Sequence, residues 1–180
     1  MILSLDVAWR NTGYIVFDKG EPVAAGVIRT EAPKKKSSVR VSDYNSMLAA
    51  DIARTLKGLI QKYGVKGVVG ELPTGGALSA KSMQQMGMAV AVVSAALELL
   101  GVPAEWVTPN DVKLAATGLR SASKEDMMAA ASSEFGFKCD GKKFTIPGCG
   151  KFTKGDFEHI ADAAFVFKAA DGGNIRKIFG

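Results

Sequence analysis

The chain has 180 residues, of which 47% are hydrophobic, with a formal net charge of +5 at pH 7 and two cysteines. That length suits one domain, residues 1–180, with a real core, and the apolar content excludes a disordered chain. No apolar run reaches the ~20 residues that span a bilayer, and Met1 leads straight into strand-like sequence, so a cytoplasmic protein with no membrane partner is expected.

The opening ILSLDVAW is aliphatic and predicts a strand with Asp6 in its middle. GYIVFDKGEPVAAGVIRT predicts two more strands, joined by a turn at Lys19-Gly20-Glu21-Pro22, so the chain opens with an antiparallel meander. A polar linker follows, in which residues 34–40 carry Lys34, Lys35, Lys36 and Arg40 with no acid. Residues 44–63 have helical spacing, with Met47, Leu48, Ile52, Leu56, Leu59, Ile60 and Tyr63 on one face. VKGVVGELP predicts a short buried strand ending at Glu71, and TGGALSA a Gly-rich turn.

Residues 79–100 predict a long helix rich in Met and small residues. AEWVTP predicts another strand, and PNDVKLAATG a helix that begins at Pro109 behind a Thr108 cap. SASKEDMMAAASSEFG predicts a further helix, with a capping box between Ser123 and Asp126. Residues 136–155 read as a basic loop insertion, since residues 138–154 hold Lys138, Lys142, Lys143, Lys151 and Lys154 against one acid, Asp140. Either basic segment, including Arg40, Lys142, Lys143 and Lys151, suits phosphate contacts or a solvated loop, and charge alone does not choose. DFEHIADAAFVFKAA predicts a last helix, capped from Thr153 or Asp156, and the final ten residues read as a tail. Strands first, then strands alternating with helices, give an α/β chain with a mixed sheet and helices packed on it.

Cys139 and Cys149 are expected as thiols, because a zinc site needs two more ligands and no CxxC pair exists. Three acids stand in apolar surroundings: Asp6 in the first strand, Glu71 at the end of VVGE, and Asp162 in HIADAAFVF. A buried carboxylate costs several kcal/mol, roughly, unless it is paired or metal-bound. Each has a local explanation taken singly: a strand end for Asp6, a cap on the Gly-rich turn for Glu71, an ion pair with Lys168 or a loop lysine for Asp162. Together they suggest one shared site, which divalent cations would neutralise. His159 lies three residues before Asp162, on the same helix face, and suits either a metal or a proton. Glu158 is expected to face solvent.

With these acids in this order, the sequence resembles the RuvC-type Holliday junction resolvases, of ribonuclease H-like fold. The matching stretches are LSLDVAWRNTGYIVF, VVGELP, TPNDVKLAATGLRSASKEDM and HIADAAFVF, across most of residues 1–135 and 156–168. The third is the most specific, because it has no simple structural explanation. The resemblance implies a mixed five-stranded sheet, an antiparallel meander followed by parallel strands, flanked by helices. It implies a metal-dependent endonuclease that resolves four-way junctions or other branched DNA by paired nicks, using two Mg²⁺ or Mn²⁺ ions. Asp6, Glu71, His159 and Asp162 match the family's metal-binding tetrad, and Lys113 and Lys124 its two functional basic residues. It also implies a homodimer, for which the helix carrying Met83, Met86, Gly87, Val90, Ala91 and Ser94 is the candidate contact.

Two departures mark a phage-borne or diverged member: Thr74 stands where the family often has a base-stacking aromatic, and residues 136–155 stand as an insertion before the last helix. Trp9-Arg10 stand where the family more often has small residues. Trp9 and Arg10 are candidates to face DNA. The rival readings are a junction-binding protein without cleavage and a different ribonuclease H-like nuclease. A sugar-kinase-like ATPase is disfavoured, because the residues after Asp6 lack its DxGxT loop.

Overall fold

The side chains of the five strands in the central sheet alternate between two apolar layers. The computed structural model describes residues 1–31, 40–73, 79–140 and 143–180. Strands β1 (Ile2–Asp6), β2 (Asn11–Asp18) and β3 (Glu21–Arg29) form the expected antiparallel meander. Strands β4 (Gly67–Glu71) and β5 (Ala104–Val107) continue the sheet in parallel beyond β1, giving the order β3-β2-β1-β4-β5. The β2–β3 hairpin turns at Lys19 and Gly20, with φ of 50° and 86°, the left-handed pair that a two-residue hairpin needs to match strand twist.

One layer holds helices α1 (Val41–Tyr63) and α2 (Ala80–Leu99). Leu48, Ile52, Leu56, Leu59 and Ile60 recur at helical spacing along α1 and are all buried. Leu48, Ile52, Leu56 and Ile60 belong to an aliphatic cluster with Leu3, Leu5 and Val7 of the first strand segment, Val68 of β4, and Ala89, Val93 and Leu97 of α2. Each large aliphatic side chain buried there contributes about 1.5–3 kcal/mol.

The other layer is built around α5 (Lys154–Ala169), flanked by α3 (Pro109–Thr117), α4 (Lys124–Phe135) and α6 (Asn174–Phe179). Its core is aromatic. Phe17 stacks on Phe167 with centroids 3.8 Å apart, and Phe135 meets Phe165 edge-on at 5.4 Å. Helices α3 and α4 open on the two predicted caps, Thr108 with Asp111 and Ser123 with Asp126, both reciprocal.

Two segments differ from the sequence reading. Residues 136–155, expected as a loop, carry a second antiparallel sheet of β6 (Lys138–Asp140), β7 (Lys143–Ile146) and β8 (Gly150–Thr153). The reason is period-two alternation in Lys143-Phe144-Thr145-Ile146, which turns Phe144 and Ile146 inward. Phe144 stacks on Phe157 of α5 at 4.3 Å and ties the sheet to the core. The expected tail forms α6, whose Ile175 is buried. No helix among the described residues is long and apolar enough to cross a membrane.

Candidate active site

Asp6 does not lie mid-strand, as the sequence suggested, but closes β1. Strands β1 and β4 run parallel with Leu5 opposite Gly70, so Asp6 and Glu71 end the two strands side by side. In open α/β sheets the carboxyl ends of parallel strands are where ligands bind. Alternation places Ser4 and Asp6 of β1, and Val69 and Glu71 of β4, on the face toward α5.

Helix α5 is held against that face at three points. The buried Ser4 hydroxyl donates to the Ala163 carbonyl at 2.6 Å. Gly13 of β2 lies opposite Asp6, with the His159 carbonyl packed against it so closely that any Cβ would overlap the helix backbone. The helix begins on the predicted Thr153 cap, whose side chain accepts from the Asp156 N–H, and the Asp156 carboxylate pairs with Arg29 of β3. The result brings His159 onto Asp6, with Nδ1 3.0 Å from Oδ2, and Asp162 follows one turn later. The one-strand, one-strand, one-helix origin of this cluster is the arrangement that the sequence implied.

Charge at the site is unbalanced. Burial first, then the charges of Asp6 and Asp162, push the Glu71 carboxyl up to about 8, and Lys113 of α3 pulls against them. Burial and Asp6 push Asp162 up to about 7, opposed by His159 and Lys124. The hydrogen bond to Asp6 raises the His159 pKa despite partial burial. Both predicted lysines therefore act on the acids, Lys113 on Glu71 and Lys124 on Asp162. Lys168 is no partner for Asp162, since it pairs with Glu134 at 2.7 Å.

Lys124 donates to Glu158 at 3.1 Å, so Glu158 is a partner of the site's lysine and not the solvent-facing residue expected. Its sequence signal is the four-residue step from Glu158 to Asp162, which sets both on one helix face. Ser4 has no such signal, because its partner is 159 residues away.

A cleft of about 330 Å³ is lined by Asp6, Glu71, Arg10 and Pro73 together with Ser82 and Gln85 of α2. Trp9 and Arg10 both line this cleft; Trp9 is only 5% exposed, and Arg10 brings the positive charge. Lys34, Lys35, Lys36, Lys142 and Thr74 lie outside the described residues. Arg40 is exposed at the N-cap of α1 and makes no side-chain cap bond. Lys143 and Lys151 are exposed on the second sheet, on the face opposite buried Phe144. His159 belongs to Asp6 and not to the cysteines, and burial raises the pKa of the Cys149 thiol.

No family model matches the chain, and no curated protein matches it. Solved structures do. The Thermus thermophilus RuvC complex with a Holliday junction substrate superposes with a TM-score of 0.68 at 18% identity, covering 94% of this chain and 92% of that one. A second Thermus thermophilus RuvC structure gives 0.63 at 16% identity, with coverage of 94% and 92%. The yeast mitochondrial Holliday junction resolvase Ydc2 gives 0.58 at 13% identity, covering 93% of this chain and 76% of that one. Its mixed sheet, strand order and flanking helices give this chain the ribonuclease H-like fold of the RuvC resolvases.

Proposed function

We propose that the chain is a structure-specific endonuclease that cuts branched DNA, four-way junctions above all, by paired nicks. One observation carries the reading: three carboxylates and an imidazole gather at the C-terminal edge of β1 and β4, with two of the carboxyls held far above their ordinary pKa by burial first and then by the neighbouring carboxylates. A chain does not accumulate such a cost in one place for stability, and perturbed carboxyls beside a cleft mark functional sites. The fold likeness to a RuvC bound to a junction supports branched DNA as the substrate class.

The residues fit divalent cations by their chemistry. Carboxylate oxygens are hard donors that suit Mg²⁺ and Mn²⁺, and an imidazole nitrogen suits Mn²⁺. Among the described residues no three His, Cys, Asp or Glu side chains are yet grouped tightly enough to enclose an ion. Asp6, Glu71, His159 and Asp162 would hold two cations, His159 through Nε2, since Nδ1 is engaged by Asp6. When bound, such ions supply the charge that activates water and stabilises a departing 3′-oxygen in phosphodiester hydrolysis. Asp6 positions His159 and lies between Glu71 and Asp162 electrostatically. Lys113 and Lys124 offset phosphate charge on either side.

A four-way junction has near two-fold symmetry, so a two-fold dimer sets one active site on each of two strands. The face of α2 that carries exposed Met83, Gly87 and Ala91 lies opposite its buried Ala89, Val93 and Leu97, and suits the contact between copies.

The test is a labelled synthetic four-way junction beside a linear duplex of the same sequence, each with Mg²⁺ or Mn²⁺. Paired symmetric nicks confined to the junction are expected, and Asp6→Asn abolishes them. Tight junction binding without nicks would replace the nuclease with a junction-binding protein. Undiminished cutting by Asp6→Asn would remove Asp6 from the site.

A further inference from the structure

We propose that Arg10 is a second phosphate-binding point of this site, holding the bound strand one step away from the carboxylates; the inference rests on the nuclease reading above. Arg10 lies on the connection between β1 and β2, four residues after Asp6, and lines the cleft that Asp6 and Glu71 open into. That connection is rigid. Thr12 Oγ1 donates to the Ala8 carbonyl at 2.7 Å and accepts from its N–H at 3.1 Å. The Thr30 hydroxyl donates to the Trp9 carbonyl at 2.9 Å, and the Thr30 N–H to the Arg10 carbonyl at 3.1 Å. Trp9, buried between them, anchors the bend.

The guanidinium is placed as carefully as the backbone. It lies 5.0 Å from the centroid of the Tyr44 ring of α1, at cation–π distance. Among the described residues its side chain makes no hydrogen bond and no ion pair, although two acids line the same cleft. Five N–H donors in a planar fork therefore remain for a ligand, and that fork matches the oxygens of a phosphate. The cleft divides into an acidic end, which needs cations before an anion can approach, and a cationic end that needs none. A single-stranded segment with one phosphate at each end satisfies both. Ser82 and Gln85, on the α2 side of the same cleft, add neutral donors for the sugar or phosphate.

The experiment is junction binding in EDTA, where no cut occurs, measured across a salt series for the full chain and for Arg10→Gln and Arg10→Lys. Removing one phosphate contact reduces the slope of log K against log salt by about one. Arg10→Gln is expected to bind about ten-fold more weakly with that reduced slope. Arg10→Lys should keep the slope and lose only part of the affinity, since it keeps the charge and loses the fork. The Mn²⁺-induced rise in melting temperature should be the same in all three, which shows a folded protein with an intact carboxylate cluster. Unchanged affinity and slope in Arg10→Gln, with the parent binding tightly, would overturn the role of Arg10 and leave the nuclease reading standing. A parent that binds neither junction nor duplex would overturn both.

Discussion

The two faces of the central sheet are made by the same strands and serve opposite ends. Toward α1 and α2, β1 and the residue after it present Leu3, Leu5 and Val7, and β4 presents Val68, in an aliphatic cluster with no ionisable group among its buried members. Toward α5, whose layer has the aromatic core, the same strands present Ser4, Asp6 and Glu71. One residue of register separates a stabilising side chain from a charged one. Both faces pack a core, but only the α5 face also carries the cost of the acids. Substitutions should therefore sort by residue: losses of stability in the aliphatic cluster, losses of activity with little or no loss of stability at the acids.

Gly13→Ala should break that sorting most severely. Gly13 is on the α5 face, but the methyl meets the His159 backbone and not a side chain that can turn away. The helix must shift, and a displacement of about 1 Å at reacting groups costs roughly 100-fold in rate, on top of the ~1–3 kcal/mol of overpacking. Nicking rate and melting temperature should fall together. A variant with a normal rate would show that α5 does not rely on this contact to deliver His159. Leu56→Ala tests the opposite face. Leu56 is fully buried in the aliphatic cluster, so urea unfolding should show a loss of about 2–5 kcal/mol, while nicking per folded molecule stays near that of the parent.

The cost on the α5 face can be read as a pH dependence. Glu71 and Asp162 keep their protons up to about 8 and about 7 in the folded chain, whereas unfolded carboxyls release theirs near roughly 4. Between those values the folded state binds more protons, so stability is fully present at low pH and falls as pH rises through 7 and 8. His159, raised by Asp6, acts in the same direction, with its contribution present below about 6.5 and lost above its folded pKa. In EDTA the unfolding free energy should drop from pH 5 to pH 8.5 by an amount on the order of a few kcal/mol, at ~1.4 kcal/mol per pKa unit, and the melting temperature should fall with it. Mg²⁺ or Mn²⁺ should restore it at pH 8.5 and do little at pH 5, where protons hold the ligands. Asp162→Asn should flatten the profile. A flat profile in the parent would show that the charge is offset by groups other than cations.

What could be read from the sequence follows the same division. The aliphatic face and its helices were legible because periodicity alone reports them: the α1 stripe from Leu48 to Ile60 is all buried. The acids were legible because a charge in VVGE or HIADAAFVF has no packing explanation. The second sheet was not, because Gly and Pro between its short strands outweigh the alternation in Lys143-Phe144-Thr145-Ile146. Trp9, a candidate to face DNA, lines the cleft yet is only 5% exposed, and that burial depends on a bend closed by Thr12 and Thr30 and not on its neighbours in sequence. Ser4 and Gly13 were invisible as site residues for the same reason. They bear on α5, and a strand does not announce which helix will cover it.

Glu158 is the finest test of the division, since it lies on the site side yet neither packs nor holds charge that the cluster needs. It accepts from Lys124 at 3.1 Å and adds one more negative charge near Asp162. Glu158→Gln removes both effects. As an exposed ion pair it contributes about 0–1 kcal/mol to stability, so melting should barely move. Nicking should fall by up to about ten-fold if Lys124 needs its tether to meet a phosphate, and rise slightly if the repulsion on Asp162 dominates. A double-mutant cycle with Lys124→Gln separates the two. If the tether is what counts, Glu158→Gln has no further effect once Lys124 is gone, and the coupling energy equals the whole effect of the single change. If repulsion counts, the two changes add. The structure favours the first outcome, because Glu158 is the leading cause of the raised Lys124 pKa and only the last of those acting on Asp162.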